Sequence, residues 1–292
     1  MRVLLTGAAG QLGQAISRLK PDLAEIVAVD RARLNITDEA AVTAMVAQIR
    51  PDIILNTAAY TQVDTAEAEQ AAAYAANAQG PRHLARAAAQ SGARLIHIST
   101  DFVFDGRGHR PYRPDAPTNP VNAYGASKLA GETGIRDILG ERALIVRTAW
   151  LYGAGGRNFV ATMLRLMASR DSLAVVADQV GTPTWTDTLA QTLWALAGHE
   201  RLGGTYHCTD AGVASWYDFA VAIQDEAVAM GILSRPIPIR PIATADFPTP
   251  ARRPAYSVLD KSETWQLLGA PAAHWRHGLR HMLADTLEAV HG

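Results

Sequence analysis

The run Gly7-Ala8-Ala9-Gly10-Gln11-Leu12-Gly13 narrows the folds open to this chain more than any other feature. It follows the apolar Val3-Leu4-Leu5-Thr6, which reads as a buried strand, and it precedes residues that read as a helix. A strand, a glycine turn and a helix in that order open a parallel α/β sheet. Gly7 permits the tight turn, Gly10 lets a pyrophosphate approach the backbone, and Gly13 lets the helix lie close on the strand. The spacing is G-x-x-G-x-x-G rather than G-x-G-x-x-G. Amides at a helix start attract anions, so this turn is a candidate dinucleotide site.

The rest of the first half keeps the same rhythm. Short runs rich in Val, Ile and Leu stand at Val3–Thr6, Ile26–Val29, Ile53–Asn56, Leu95–Ser99 and Ala143–Val146. Strands covered on both faces have this character. Helical stretches separate them. One begins near Thr37-Asp38, where a capping residue precedes Ala40-Ala41-Val42, and an alanine-rich one runs from Thr65 to Ala89 with a break near Gly80-Pro81. The expected fold is α/β: a Rossmann-like, doubly wound parallel sheet with a smaller α/β substrate-binding domain. After Trp150 the alternation loosens through Gly153–Gly156, a helix over Asn158–Ser169, a strand at Leu173–Val176 and a Pro-rich stretch from Pro236 to Pro254. Residues 1–152, with a return near 178–208, are expected to form the dinucleotide-binding domain. Residues 153–177 and 209–292 are expected to form the substrate domain, ending in a helix over Trp275–Val290.

Composition removes several function classes. A net charge of -1, with no long run of one sign, argues against nucleic acid or an anionic membrane as partner. No apolar run approaches the ~20 residues of a membrane span. Arg2 followed by Val3-Leu4-Leu5 is too short for a signal-peptide core, and a cytoplasmic protein is expected. The single cysteine, Cys208, excludes an internal disulfide and reads as a buried thiol.

The chemistry is read from three side chains. Tyr124 and Lys128, within Tyr124-Gly125-Ala126-Ser127-Lys128, stand one helical turn apart and share a face. A free phenol titrates near ~10, and a neighbouring ammonium is expected to lower that value and improve Tyr124 as a proton donor. Thr100 ends the fourth expected strand, where its hydroxyl can bond a substrate carbonyl. With the glycine turn, the set reads as hydride transfer from a nicotinamide, with a tyrosine as acid. Asp30 ends the second strand, where a carboxylate binds a ribose 2′-hydroxyl and favours NADH. Arg31 beside it can instead face a 2′-phosphate and favour NADPH, so either cofactor fits. The small residues of Asn56-Thr57-Ala58-Ala59 leave room for it at the sheet edge.

These residues resemble the extended short-chain dehydrogenase/reductase superfamily and, within it, the dTDP-4-dehydrorhamnose reductase family. The resemblance runs nearly end to end. Its more specific stretches are Arg147-Thr148-Ala149-Trp150, Asp178-Gln179-Val180-Gly181-Thr182-Pro183-Thr184 and Pro248-Thr249-Pro250-Ala251-Arg252-Arg253-Pro254. It implies reduction of the 4-keto group of dTDP-4-dehydro-β-L-rhamnose, with Thr100 polarising the ketone and Tyr124 protonating the alkoxide. It implies Gly10, Gln11, Leu12, Asp30, Asn35, Ile36, Ala59, Tyr60, Thr61, Tyr124 and Lys128 at the cofactor. Thr100, Asp101 and Trp150 would line the deoxysugar, Trp150 as a flat apolar wall. Some members are dimers bridged by magnesium through two glutamates. Ala15 and Asp187 hold those positions here, which argues against the metal and leaves monomer or homodimer open.

Arg252 and Arg253 are candidates for the dTDP diphosphate, since a guanidinium matches phosphate oxygens; the competing reading is a loop salt bridge. His274, His277 and His281 share a face of the last helix and read as a solvated polar face rather than a metal site. Two other functions remain open at this point: a reductase or epimerase of another nucleotide sugar, and a non-enzymatic dinucleotide-binding regulatory subunit of the kind the methionine adenosyltransferase beta subunit represents.

Overall fold

The computed structural model describes residues 1–291; Gly292, the end of the second expected domain, lies outside them. The first half runs β1 (Arg2–Thr6), α1 (Gln11–Arg18), β2 (Glu25–Val29), α2 (Glu39–Ile49), β3 (Ile53–Asn56), α3 (Thr65–Ala68) and α4 (Gln70–Tyr74). A π-helical turn (Ala75–Gln79), α5 (Gly80–Ser91), β4 (Arg94–Thr100), α6 (Ala123–Leu139) and β5 (Leu144–Thr148) complete it. The second half runs β6 (Leu151–Tyr152), α7 (Phe159–Ser169), β7 (Leu173–Val176), β8 (Val180–Gly181), β9 (Thr184–Trp185) and α8 (Thr186–Gly198). It ends with β10 (Gly204–His207), β11 (Ala214–Ser215), α9 (Trp216–Ala229), β12 (Ile239–Ile242), α10 (Ser262–Leu268) and α11 (Trp275–His291).

Six parallel strands form the central sheet in the order β10-β5-β4-β3-β1-β2. The strand order reverses between β1 and β3, and ligands of such sheets bind at that crevice, beyond the strands' carboxyl ends. Alternation along each strand divides the core. Val3, Leu5, Ile53 and Leu55 join Leu12, Ile16, Leu189 and Leu193 of α1 and α8 on one face. Leu4 and Ile54 join Val42, Val46, Leu84 and Ile135 of α2, α5 and α6 on the other. A third cluster gathers Val160, Met163, Phe219, Ile223, Trp275 and Leu279 from α7, α9 and α11. Thus β10 closes the sheet against β5, where a return of the chain is expected. Cys208 just beyond it is buried, and burial pushes its thiol up to about 12, so it stays an unreactive thiol. Among the described residues, no helix is long and apolar enough to cross a membrane.

Two local expectations need correction. The alanine-rich segment breaks at Glu69 and not at Gly80-Pro81, where helix is continuous after the π turn. Pro81 sits in the first turn of α5, where a missing N–H costs least. Asn77, in the widened turn, turns its carbonyl toward Gly131 of α6, where no side chain intervenes. The fifth strand extends two residues beyond Val146, so Arg147 and Thr148 also lie in the sheet. Capping follows the sequence elsewhere. Asp38 accepts from the Ala41 amide at 3.0 Å to start α2, and Asn158 accepts from the Ala161 amide at 2.9 Å to start α7.

Candidate active site

The glycine turn joins β1 to α1 with almost no space to spare. Gly7 has φ 75°, and a Cβ there would fall 2.6 Å from the Ala58 amide nitrogen. A Cβ on Gly13 would fall 2.5 Å from the Gly7 carbonyl oxygen. Gly10 occupies the N-cap of α1, and no side chain caps the helix. The first amides of α1 are left for an anion, and no Cβ at Gly10 screens them. The turn therefore fits a dinucleotide pyrophosphate on its own geometry.

A cleft of about 960 Å³ extends from this turn across the carboxyl ends of β2, β3, β4 and β5. That is the upper end of the ~300–1,000 Å³ usual for ligand sites. At one end it is lined by Asp30, Arg31, Asn35 and Ile36, and at the other by Thr100, Asp101, Tyr124, Lys128 and Trp150. Gly7, Gly10, Gln11, Leu12, Gly13, Ala59, Tyr60 and Thr61 lie between. One carboxylate oxygen of Asp30 accepts from the Arg33 amide at 2.9 Å, which fixes the loop after β2. A hollow of about 1110 Å³ at the opposite edge of the sheet, around Met1, Arg50 and Arg94, has none of this chemistry; Arg94 there spends its donors on the Ala197 and His199 carbonyls.

The helix that carries Tyr124 and Lys128 is anchored at its first turn. Asn122 caps α6 through the Gly125 amide at 2.8 Å, and its Nδ2 donates to the Arg252 carbonyl at 2.8 Å. The Ala123 amide donates to Glu67 at 2.8 Å. These bonds set Tyr124 in the first turn beside Phe102, edge to face at 5.8 Å. One turn further, buried Lys128 donates from Nζ to the Ile98 carbonyl at 2.6 Å. Thr100 donates from Oγ1 to Asp101 Oδ1 at 2.9 Å.

Burial dominates the electrostatics here. It raises the Tyr124 phenol to about 12, against a hydrogen bond with Thr100 and with a further upward push from the Asp101 carboxylate. The direction is upward, where a lowering by Lys128 is expected from the sequence: Lys128 is not among the groups that shift Tyr124, its Nζ is turned to the Ile98 carbonyl, and desolvation sets the sign. Tyr124 thus holds its proton throughout the neutral range. Burial also lowers Lys128 to about 8, opposed by Glu132. It raises Asp101 to about 6, opposed by the hydroxyls of Ser257 and Thr100. No partner of standard hydrogen-bond geometry reaches Asp101 Oδ2 or Thr148 Oγ1 among the described residues. Both residues line the cleft. Thr148 escaped the sequence reading because the fifth strand was ended two residues early.

Trp150 has φ 46°. A bulky residue in this region costs on the order of 1–3 kcal/mol and persists only where its surroundings hold it. Its indole lies flat on Trp216, with ring centroids 3.4 Å apart and planes 3° apart. Trp216 carries no motif signal in the sequence and was missed.

The remaining candidates divide. Arg253 is engaged by Asp64, at 3.0 and 2.8 Å, as the salt-bridge reading has it, and Arg252 contributes its backbone carbonyl to Asn122. Neither lines the cleft. Asp187 pairs with Arg18 at 2.6 Å and Ala15 is buried in the core, so these positions do not fit a bridging metal. His277 and His281 face each other at 3.0 Å, with His281 stacked on Trp185, while His274 precedes the helix. Among the described residues, no group of three or more His, Cys, Asp or Glu could hold a metal ion.

Comparison with known proteins agrees with this geometry. A dTDP-4-dehydrorhamnose reductase from Streptomyces griseus is 46% identical over 284 residues, covering 95% of this chain and 91% of that protein. A dTDP-4-keto-6-deoxy-D-glucose reductase from Streptomyces niveus is 44% identical, covering 95% of each chain. The crystal structure of dTDP-4-dehydrorhamnose reductase from Bacillus anthracis in complex with NADP superposes with a TM-score of 0.91 at 39% identity, covering 98% of this chain and 99% of that one. The family described as the RmlD substrate binding domain matches residues 1–288. On that match and these identities, the chain belongs to the RmlD substrate binding domain family.

Proposed function

We propose that this protein reduces the 4-keto group of dTDP-4-dehydro-β-L-rhamnose to give dTDP-β-L-rhamnose, using NADPH or NADH. One observation supports the reading: Tyr124, half-buried and holding its proton at neutral pH, lines the same cleft as Thr100, Lys128 and an uncapped glycine turn. A reduced nicotinamide dinucleotide bound in the cleft supplies the hydride. Gly7, Gly10, Gln11, Leu12 and Gly13 would hold its pyrophosphate, and Asp30, Arg31, Asn35 and Ile36 its adenosine end. Ala59, Tyr60, Thr61 and Lys128 would line its path toward the sugar.

The chain's own groups do the rest. Thr100 polarises the ketone by turning its one hydroxyl hydrogen from Asp101 to the sugar oxygen. Tyr124 then protonates that oxygen as negative charge develops on it. The Lys128 ammonium, placed against the Ile98 carbonyl, adds positive potential to the site. Asp101 and Thr148 would stand beside the sugar among the residues that line this end of the cleft, and Trp150 would wall the sugar site. The domain division expected from the sequence is supported by the separate third core of α7, α9 and α11. A cytoplasmic setting, and a monomer or homodimer without bridging metal, belong to the same proposal.

The test is oxidation of NADPH and NADH with dTDP-4-dehydro-L-rhamnose generated in situ. Formation of dTDP-rhamnose, abolished in Tyr124→Phe, supports the reading; binding of dinucleotide without turnover refutes it and points to another sugar nucleotide or to a regulatory role. A related dTDP-4-keto-6-deoxy sugar is the second reading, favoured by the similarity to the Streptomyces niveus reductase. Turnover rates on the two sugars separate them.

A further inference from the structure

Trp150 is the one wall of the cleft built on a strained backbone, and its position is set from behind. Trp216, the first residue of α9, covers its indole at 3.4 Å and 3°. Trp216 is itself held on two sides. Phe159 of α7 leans on it at 4.6 Å, and its Nε1 donates to Gln179 Oε1 at 3.2 Å. Gln179 is buried and donates in turn to Thr244 Oγ1 at 3.0 Å. The start of α9 is pinned by a capping box between Ser215 and Asp218. Gly181 completes the seat: a Cβ there would fall 2.5 Å from the Trp150 indole. A side chain clamped this way presents a fixed surface to a ligand, while its backbone alone would favour another conformation.

We propose that Trp216, tethered by Gln179, is a positioning residue that holds Trp150 as the sugar-facing wall and thereby sets affinity for the sugar moiety. Trp216 does not line the cleft and acts only through Trp150. The inference rests on the reading that places the sugar against Trp150.

Three variants separate the possibilities: Trp150→Ala, Trp216→Leu and Trp216→Phe. The readouts are KM for the dTDP-4-dehydro sugar, Kd for dTDP-rhamnose, Kd for dTDP alone and Kd for NADPH. Trp216→Leu loses the stack and is expected to weaken dTDP-rhamnose binding and raise the sugar KM about three- to tenfold. Binding of dTDP alone and of NADPH should not change. Trp216→Phe keeps an aromatic face and should restore most of the loss. An equal loss of dTDP or NADPH binding in Trp216→Leu would mean a merely structural role and overturn the proposal. So would an unchanged sugar KM in Trp216→Leu when Trp150→Ala raises it. An unchanged KM in Trp150→Ala instead removes the sugar from that wall and strikes the underlying reading. Should Trp216→Leu fail to fold, Gln179→Leu decides: it removes the tether along with the Thr244 bond and keeps the stack, and sugar binding as tight as in the parent protein refutes the idea.

Discussion

The two ends of the cleft are built differently. The dinucleotide end is backbone: a glycine turn with no room for a Cβ, an uncapped helix start and a loop fixed by Asp30. Its residues, apart from the loop at Ala59–Thr61, fall within the first two strand–helix units. The other end is side chains brought from distant segments: Thr100 and Asp101 at the end of β4, Tyr124 on α6, and Trp150 after β5, backed by Trp216 on α9. It also carries energetic costs that the dinucleotide end lacks, in a tryptophan at positive φ and a buried carboxyl. A site that binds a common cofactor can rest on local geometry. A site that selects one sugar needs tertiary packing to hold groups in states they would not adopt alone.

After the loss of turnover in Tyr124→Phe, the largest expected effect falls between the two ends, at Lys128. Lys128→Met should lower kcat by about a hundredfold or more. In the parent protein kcat/KM should decline as pH rises through about 8, where Lys128 loses its proton, and this limb should vanish in the variant. A surviving limb would assign it to another group.

Asp101→Asn tests whether the sugar end is stabilised or burdened by its carboxyl. Its folded-state value lies above the ordinary 3.8, at about 6. Protonation therefore favours the fold; that contribution is complete below about 4 and is lost as pH rises through about 6. The asparagine variant should be more stable than the parent by about 3 kcal/mol at pH 8, with most of the difference gone near pH 4. Urea unfolding at both pH values checks this, and equal stability at pH 8 would erase the supposed burden. Sugar turnover should fall in the same variant.

Gly13→Ala addresses the dinucleotide end. The new methyl group meets the Gly7 carbonyl, so α1 must shift, and Kd for NADPH should rise about tenfold. Affinity for dTDP should remain. If both ligands weaken together, the two ends are mechanically one. The smallest effect is expected for Arg253→Ala. Its pair with Asp64 is partly exposed, so unfolding free energy should fall by only about 1 kcal/mol or less. Unchanged binding of dTDP would confirm that Arg253 serves the loop rather than the diphosphate.

The parts of the molecule that were legible are those with a local physical code. Glycines, short apolar strands and the cap near Asp38 act within a few residues of themselves. Tyr124 and Lys128 were legible because helical spacing alone puts them on one face. Arg252 and Arg253 looked like a diphosphate clamp because a guanidinium shows its chemistry but not its neighbour; Asp64 stands 189 positions away from Arg253. Trp216 looked like any helix-start aromatic.

Residue order alone thus marked the parallel sheet, the glycine turn and the shared face of Tyr124 and Lys128, because each follows from backbone sterics or helical period. Folding in three dimensions settled the rest: a phenol whose proton is held by burial rather than loosened by an ammonium, an Arg18 that occupies Asp187, and a strained Trp150 seated on Trp216. Desolvation and packing depend on every group that surrounds an atom, and those surroundings exist only once distant segments meet.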